Sequence, residues 1–306
     1  MTLSGSRRWA LQYASGLFAD RGAAAATAAL FSQPPTAPNL TLLGNCGSVA
    51  TPSQEKETRD FLARCSANWE RVFWVPGPHE LASPSKELVT DQLHYLRTLA
   101  AEAGENVILL DKSEYPFHKD DIVLIGITGW SDLIGYGADL PPTSLEATHI
   151  WTTGGYAGGQ AQNPRTVDIQ EWHTEALEWL RQRINWWSMY RPGMRTVILT
   201  HHLCTPSLLS SGLTPTAYKR ATLDTMSEQS TETFLSGKGG WVVPPSAWLC
   251  GATGSSCSGI VGGRRTFIGV NSLFGAEGTG AATTAANPRW MAGRRFELPP
   301  GKVRME

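Results

Sequence analysis

Short, nearly continuous apolar runs recur along the chain and alternate with segments of helical periodicity. Runs such as Ile122 to Ile127 have the length of one strand and no polar face, which is typical of strands covered on both sides. The alternation with helices predicts an α/β fold. The predicted strands are Trp9 to Ala14, Leu40 to Leu43, Arg71 to Val75, Val107 to Leu110, Ile122 to Ile127, Thr196 to Thr200, Ala247 to Cys250 and Arg265 to Val270.

Three helices are predicted from their start signals. Residues 51–54 (Thr-Pro-Ser-Gln) supply an N-cap, a proline at the first helical position and a capping-box glutamine for a helix to about Ala67. Ser83-Pro84 is expected to open a second helix to about Ala103. The capping box at Asp168 opens a third. Its apolar stripe, which favours a core-facing side over a cofactor site, comprises Ile169, Trp172, Leu177, Leu180, Ile184 and Trp187.

The remaining stretches predict loops and a tail. Gly135 to Arg165 and Cys204 to Gly240 are rich in Gly, Ser and Thr, and loops of this length usually form lids or partner-binding surfaces. We expect one domain over residues 1–275 and a C-terminal extension over residues 276–306 that docks on the domain or on a partner.

Composition narrows the classes of protein. Lys and Arg total 26 against 27 Asp and Glu, so nucleic acid is not expected as a partner. The apolar runs are too short for a transmembrane segment, which predicts a soluble protein. The five cysteines form no Cys-x-x-Cys pair, and their odd number without a secretory signal indicates an intracellular location, cytoplasmic or mitochondrial matrix.

Short loops follow the predicted strands in a characteristic order. They read Ser-Gly-Leu-Phe (15–18), Gly-Asn-Cys-Gly (44–47), Gly-Pro-His-Glu (77–80), Thr-His-His-Leu (200–203) and Gly-Ala-Thr-Gly (251–254). This series resembles the calcineurin-like metallophosphoesterase superfamily. The resemblance covers about Trp9 to Asn271 and implies a four-layer α/β/β/α sandwich with the loops at one edge.

In active members of that superfamily the loops read Asp-x-His, Gly-Asp, Gly-Asn-His-Glu or -Asp, a late His, and Gly-His-x-His. Their side chains hold two cations that activate a hydroxide for attack on phosphorus. Here the lost ligand positions are Gly16, Phe18, Asn45, Pro78, Ala252 and Gly254. His79 matches the family's general-acid histidine, and His201 and His202 also remain.

The losses predict a pseudoenzyme with no cofactor, no metal and no catalytic residue. Asn45, His79, His201 and His202 are then relic positions. We expect a non-catalytic scaffold or interaction protein, a subunit of a larger assembly with other protein subunits as partners. The twelve tryptophans indicate that part of the surface is covered by a partner.

Two alternatives stay open. One is a residual phosphoesterase, with His79 as acid and a single weakly bound divalent metal on His201 and Asn45. The other is a phosphate-ligand binding module.

Other motifs are weaker. The glycine-rich run from Gly154 to Gly159 lacks the Gly-Lys-Ser/Thr ending of a phosphate loop. His173 is expected to be a surface or capping histidine. If the resemblance holds, Gly16, Asn45, His79, His201 and Ala252 should converge at one edge of the sheets. Apolar atoms of Phe18 and Pro78 should then partly fill the former metal volume.

Overall fold

A computed structural model describes residues 9–21, 24–133, 149–153, 161–204, 244–251, 257–261, 266–270 and 294–298. The helices are α1 (Ala24–Phe31), α2 (Pro52–Asn68), α3 (Pro78–Leu81), α4 (Val89–Ala103) and α5 (Thr166–Tyr190), with a short 3-10 turn at Ala19–Arg21. The strands are β1 (Trp9–Ala14), β2 (Asn39–Leu43), β3 (Arg71–Val75), β4 (Val107–Leu109), β5 (Ser113–Phe117), β6 (Ile122–Ile127), β7 (Arg195–Thr200), β8 (Ala247–Cys250), β9 (Cys257–Val261), β10 (Thr266–Val270) and β11 (Arg294–Leu298).

The strands form two mixed sheets. The first has the order β11-β1-β2-β3-β4, and β1 to β4 run parallel while β11 is antiparallel at the edge. The second has the order β5-β6-β7-β8-β10-β9, with antiparallel strands at both edges of a parallel centre. The ends of β1, β2, β3, β7 and β8 carry the loops singled out above.

Apolar side chains from both sheets meet in one cluster. Leu11 and Phe73 come from the first sheet, and Leu124, Leu199 and Leu249 come from the second. The opposite face of the first sheet packs against α2 and α4, while the opposite face of the second packs against α5. The outer clusters include Leu40, Trp74, Leu62 and Leu99 on one side, and Ile125, Ile198, Leu180 and Ile184 on the other. The central strands β2, β3, β6, β7 and β8 are therefore covered on both faces, as their apolar sequences require.

The predicted strands are confirmed with shifts of one residue at most, but the structure adds β5, β9 and β11. Strand β5 reads Ser-Glu-Tyr-Pro-Phe, and its side chains are half-buried at a sheet edge, where a proline is tolerated. Strand β11 lies within the predicted extension 276–306 and pairs with β1. The division into a domain and an extension stays a prediction.

Two helix starts differ from the prediction. Ser83 does not open α4, which begins at Val89, because Ser83 is held in a turn by Lys86 and Glu87. Helix α5 begins at Thr166, so Asp168 is its third residue, and its carboxylate accepts a hydrogen bond from the Arg165 backbone at 2.7 Å.

Most of the predicted loops 135–165 and 204–240 lies outside the described residues, as does the run from Gly154 to Gly159. Within the described part, Thr152 and Gln162 pair through two backbone hydrogen bonds of 2.9 Å. Among the helices that the structure describes, none is long and apolar enough to cross a membrane.

Candidate functional site

The loops after β1 and β2 run side by side at the ends of the strands. The Gly16 amide donates to the Gly44 carbonyl at 3.0 Å, and the Phe18 amide donates to the Asn45 carbonyl at 3.1 Å. Phe18 and Asn45 both have left-handed backbones, with φ of 43° and 52°. Such conformations are costly for residues with side chains and persist where surrounding contacts enforce them. The two loops therefore have one fixed mutual arrangement.

The carboxylate of Glu80 joins the second and third loops. It accepts hydrogen bonds from the backbone amides of Asn45 (2.8 Å), Cys46 (2.6 Å), Gly47 (3.3 Å) and Gly77 (2.9 Å). Burial raises the pKa of the Glu80 carboxyl, whereas His79 and the amides favour its ionised form. Four donors suit an ionised carboxylate, so Glu80 acts as an internal anion that fixes both loops.

The Asn45 and His79 side chains are engaged inside the site. Asn45 Oδ1 accepts a hydrogen bond from the His79 backbone amide at 3.0 Å. His79 Nε2 lies 3.0 and 3.1 Å from the two carboxylate oxygens of Asp20, whose side chain is fully buried. Because a carboxylate accepts, Nε2 carries the proton and donates. Gln54 donates to the same carboxylate at 3.1 Å.

His201 reaches the site from the second sheet. Its Nδ1 donates to the Leu43 carbonyl at 2.9 Å. The close approach depends on Gly44, which has φ of +76°, because a Cβ there would lie 2.3 Å from His201 Nδ1. Burial, together with the neighbouring His202, lowers the pKa of His201 to about 3. At neutral pH the imidazole is therefore uncharged, with its proton on Nδ1 and a lone pair on Nε2.

His202 and His173 form a buried layer behind His201. The His201 and His202 rings meet edge to face with centroids 4.9 Å apart. His173 Nδ1 donates to the Trp130 carbonyl at 2.7 Å, and its Nε2 lies 3.9 Å from Asp132. Burial lowers the pKa of His173. The surface or capping role expected for His173 is wrong, because α5 turns this residue toward the Trp130 loop.

The structure thus brings together Gly16, Asn45, His79 and His201, as the loop order predicted, and it keeps His202 adjacent. Ala252 and Gly254 lie outside the described residues. The Phe18 ring lies 4.9 Å from the His79 ring, and Pro78 is buried as the first residue of α3. The filling of the former metal volume by these two residues stays a prediction.

At the ligand positions that the structure describes, namely Gly16, Phe18, Asn45 and Pro78, the chemistry of the side chains does not fit a binuclear metal centre. Within the described part of the chain, no group of three His, Cys, Asp or Glu side chains is placed to hold an ion. More directly, Asn45 Oδ1 and His79 Nε2 are already bonded within the protein. Among the surviving positions, His201 has the ring geometry of a histidine ligand, with Nδ1 donating to a carbonyl.

Sequence reasoning missed two carboxylates, Asp20 and Glu80. Glu80 occupies the last position of the Gly-Pro-His-Glu loop, and this place in the motif could have identified it as a residue of the site. Asp20 lies only two residues beyond Phe18, but nothing in its local pattern links it to a histidine 59 residues away.

Comparisons with known proteins agree with the fold and leave the function open. No protein-family model matches the chain. It shares 26% identity over 165 residues with "Uncharacterized protein L509" of Acanthamoeba polyphaga mimivirus, which is 53% of this chain and 54% of that protein. The chain therefore spans about half the length of this relative.

One solved structure aligns along nearly the whole chain. It is the phosphopantetheinyl hydrolase (PptH) from Mycobacterium tuberculosis, with a TM-score of 0.63, 14% sequence identity and coverage of 98% of this chain and 99% of that chain. At this identity the likeness shows a shared fold. The chain is therefore folded like a known hydrolase.

Glu80→Gln should destabilise the protein strongly. The amide nitrogen would face backbone donors that now bond to a carboxylate oxygen, leaving buried N–H groups without an acceptor. We expect the free energy of unfolding to fall by about 3 kcal/mol in urea denaturation. Glu87→Gln, at an exposed position, should stay within about 0.5 kcal/mol of the parent. Equal effects of the two substitutions would contradict the assigned role of Glu80.

His201 should make the protein sensitive to mild acid. Its folded pKa of about 3 lies below the unfolded value of about 6.5, so below pH 6.5 only the unfolded chain takes up this proton. Stability should then fall by about 1.4 kcal/mol per pH unit from this group, until the pH approaches 3. Above pH 6.5 the group contributes no pH dependence.

The measurement is urea denaturation between pH 7 and 4.5. His201→Asn retains a donor for the Leu43 carbonyl and should reduce the slope by about 1.4 kcal/mol per pH unit. The exposed His94 provides the control, because His94→Asn removes an imidazole that is already in solvent. An unchanged slope in His201→Asn would show that His201 takes up its proton in the folded protein.

Proposed function

We propose that this chain is a non-catalytic, metallophosphoesterase-like scaffold or interaction protein that works with other protein subunits. The observation that carries the proposal is that the surviving polar groups of the site form hydrogen bonds with other groups of the protein. Asn45 Oδ1 binds the His79 amide, and His79 Nε2 binds the buried Asp20 carboxylate. These atoms connect three loops to one another, which is a structural role.

The packing supports a four-layer α/β/β/α sandwich as the framework. One apolar cluster joins the two sheets, and separate clusters join each sheet to its own helices. A hydrolase with 14% identity aligns along nearly the whole chain. The proposal is that the framework was retained while the ligand positions changed to Gly16, Phe18, Asn45 and Pro78.

The altered chemistry of the site supports the loss of activity. An acid imidazole accelerates phosphoester cleavage only when a nucleophile is already attacking. In this superfamily the nucleophile depends on metal ligands that include carboxylates, and the first loop here offers a glycine and a phenyl ring. The Asp20 carboxylate, two residues beyond Phe18, is fully buried and lies 3.0 Å from His79 Nε2.

An exposed aromatic surface supports an interaction role. At the C-terminal end of α5, the side chains of Trp186, Met189 and Tyr190 are 37%, 69% and 65% exposed. The Trp186 and Tyr190 rings stack with centroids 4.5 Å apart. Large apolar groups exposed together often mark protein interfaces. We call these three residues the α5 aromatic patch.

One observation favours a second candidate function. His201 is neutral and oriented through Nδ1, which leaves a lone pair on Nε2 of the kind that binds metals. A residual phosphoesterase with one weakly bound divalent metal on His201 and Asn45 would use this atom. It would require Asn45 Oδ1 to exchange its bond to the His79 amide for the metal.

Metal content and hydrolysis distinguish the two candidates. We expect purified protein dialysed against Mn²⁺ and Zn²⁺ to hold no stoichiometric metal at its folded site, and bis(p-nitrophenyl) phosphate to be cleaved no faster with metal than without. His79→Gln preserves a donor for Asp20 and should match the parent. His79→Ala is less suitable, since His79 is buried and its removal would leave the Asp20 carboxylate without this donor. A metal-stimulated rate that His79→Gln abolishes would establish the phosphoesterase.

The positive part of the proposal is tested by assembly size. In extracts of the native source, the full chain should run in size-exclusion chromatography as part of a larger complex. Met189→Lys with Tyr190→Lys should shift it toward the monomer position, because charges would be placed in a buried interface. Val167→Lys, at a 48% exposed residue near the other end of the same helix, should have no effect. Monomeric behaviour of the parent would remove the interaction role.

A further inference from the structure

The α5 aromatic patch presents an oxidisable sulfur atom at the surface. Met189 is 69% exposed, the highest value among the large apolar side chains that the structure describes. Trp186 and Tyr190 lie on the same helix, three residues before Met189 and one residue after it. Their rings stack with centroids 4.5 Å apart. The thioether of Met189 therefore belongs to the apolar surface that we assign to partners, and solvent reaches it.

The other sulfur atoms whose surroundings the structure describes are shielded from solvent. Met194 follows Met189 by five residues and is only 6% exposed. The described thiols are all buried, and they belong to Cys46, Cys65, Cys204 and Cys250. Because sulfur oxidation depends on exposure, an oxidant in solution reacts with Met189 before it reacts with any of these groups.

We propose that Met189 is a reversible oxidation site, at which a peroxide converts the thioether to a sulfoxide and thereby prevents assembly through the α5 aromatic patch. The inference rests on the interaction role proposed above, because it concerns the same surface. Assembly covers Met189, so the oxidant acts on the unassembled chain. Oxidation then sets how much of the chain is able to join its partners.

The reaction balances with hydrogen peroxide as the oxidant. A lone pair of the Met189 sulfur attacks one peroxide oxygen, the O–O bond breaks, and an S–O bond forms. The other oxygen leaves as water after a proton moves to it from the oxygen now on sulfur. The sulfur loses two electrons, and the peroxide is reduced to one water and the sulfoxide oxygen.

Oxidation changes the chemistry of the patch and leaves the fold intact. A sulfoxide oxygen is a polar acceptor, and its burial in an apolar interface without a donor costs free energy. In the unassembled chain this oxygen stays hydrated, because Met189 is exposed. The oxidised chain should therefore lose its assembly while its thermal midpoint stays unchanged.

The first measurement maps methionine sulfoxide by peptide mass spectrometry after the purified, folded chain has reacted with hydrogen peroxide. Met189 should gain an oxygen atom on the order of tenfold faster than the buried Met194. In urea the two rates should become equal, because unfolding exposes both side chains. Equal rates in the folded chain would overturn the proposal.

The second measurement adds the tagged full chain to extract of the native source and follows its elution in size-exclusion chromatography. The untreated chain should enter a larger complex, and the oxidised chain should elute at the monomer position. Methionine sulfoxide reductases for both epimers should restore the complex. Met189→Leu stays apolar at similar volume and cannot form a sulfoxide, so it should assemble with and without peroxide. Met189→Gln is polar and should remain monomeric.

Two results would overturn the control of assembly by Met189. One is an oxidised parent that assembles as well as the untreated chain, and the other is Met189→Leu that loses its assembly after peroxide. An untreated parent that stays monomeric would instead refute the interaction role and the control that depends on it, and preferential oxidation of Met189 would still establish the modification site. An unchanged thermal midpoint verifies that each variant is folded.

Discussion

The edge of the molecule where the loops meet depends on one buried carboxylate. Glu80 accepts hydrogen bonds from four backbone amides. Three of them, those of Asn45, Cys46 and Gly47, are 33 to 35 residues away in the sequence, and the fourth, Gly77, belongs to the same loop as Glu80. Without this anion, the amides after β2 would be buried donors with no acceptor. Asn45 keeps its left-handed backbone, and its side chain reaches the His79 amide, because Glu80 fixes both loops.

In the non-catalytic protein that we propose, the site has exchanged one set of interactions for another. An imidazole that would face a substrate in a metal enzyme here faces the Asp20 carboxylate, and an amide oxygen that would face a metal here faces a backbone N–H. Buried polar groups need partners whether or not they act on a ligand. A site that stops binding metal can therefore remain ordered, provided that nearby residues satisfy the groups that remain.

His201 links the two sheets at the edge where the loops lie. Its Nδ1 binds the Leu43 carbonyl of the first sheet, and its ring fits only because residue 44 is a glycine. Burial in this position keeps the imidazole neutral. The α5 aromatic patch lies elsewhere, on the helix that packs against the outer face of the second sheet. The predicted mild-acid sensitivity and the proposed surface for partners thus belong to different parts of one framework.

Much of the fold could be predicted because its signals are local. Apolar runs such as Ile122 to Ile127 become central strands, and residues 51–54 start α2 as expected. Strand β5 was missed because its polar residues and Pro116 do not form such a run, and Ser83 misled because its hydroxyl serves a turn instead of a helix cap. His173 was misplaced, since the side of α5 that it occupies becomes buried only when the Trp130 loop packs there.

The sequence by itself determined the α/β class, the order of the loops and the residue types at Gly16, Phe18, Asn45 and Pro78, the positions that the resemblance assigns to metal ligands. Parallel strands bring their carboxyl ends to one edge, so this order alone implies that the loops converge. Only the tertiary structure decided which atoms satisfy one another. The packing of the loops and the two sheets sets two long-range contacts: that of His79 with Asp20, and that of His201 with the Leu43 carbonyl, 158 residues away. No local sequence pattern encodes contacts over such distances.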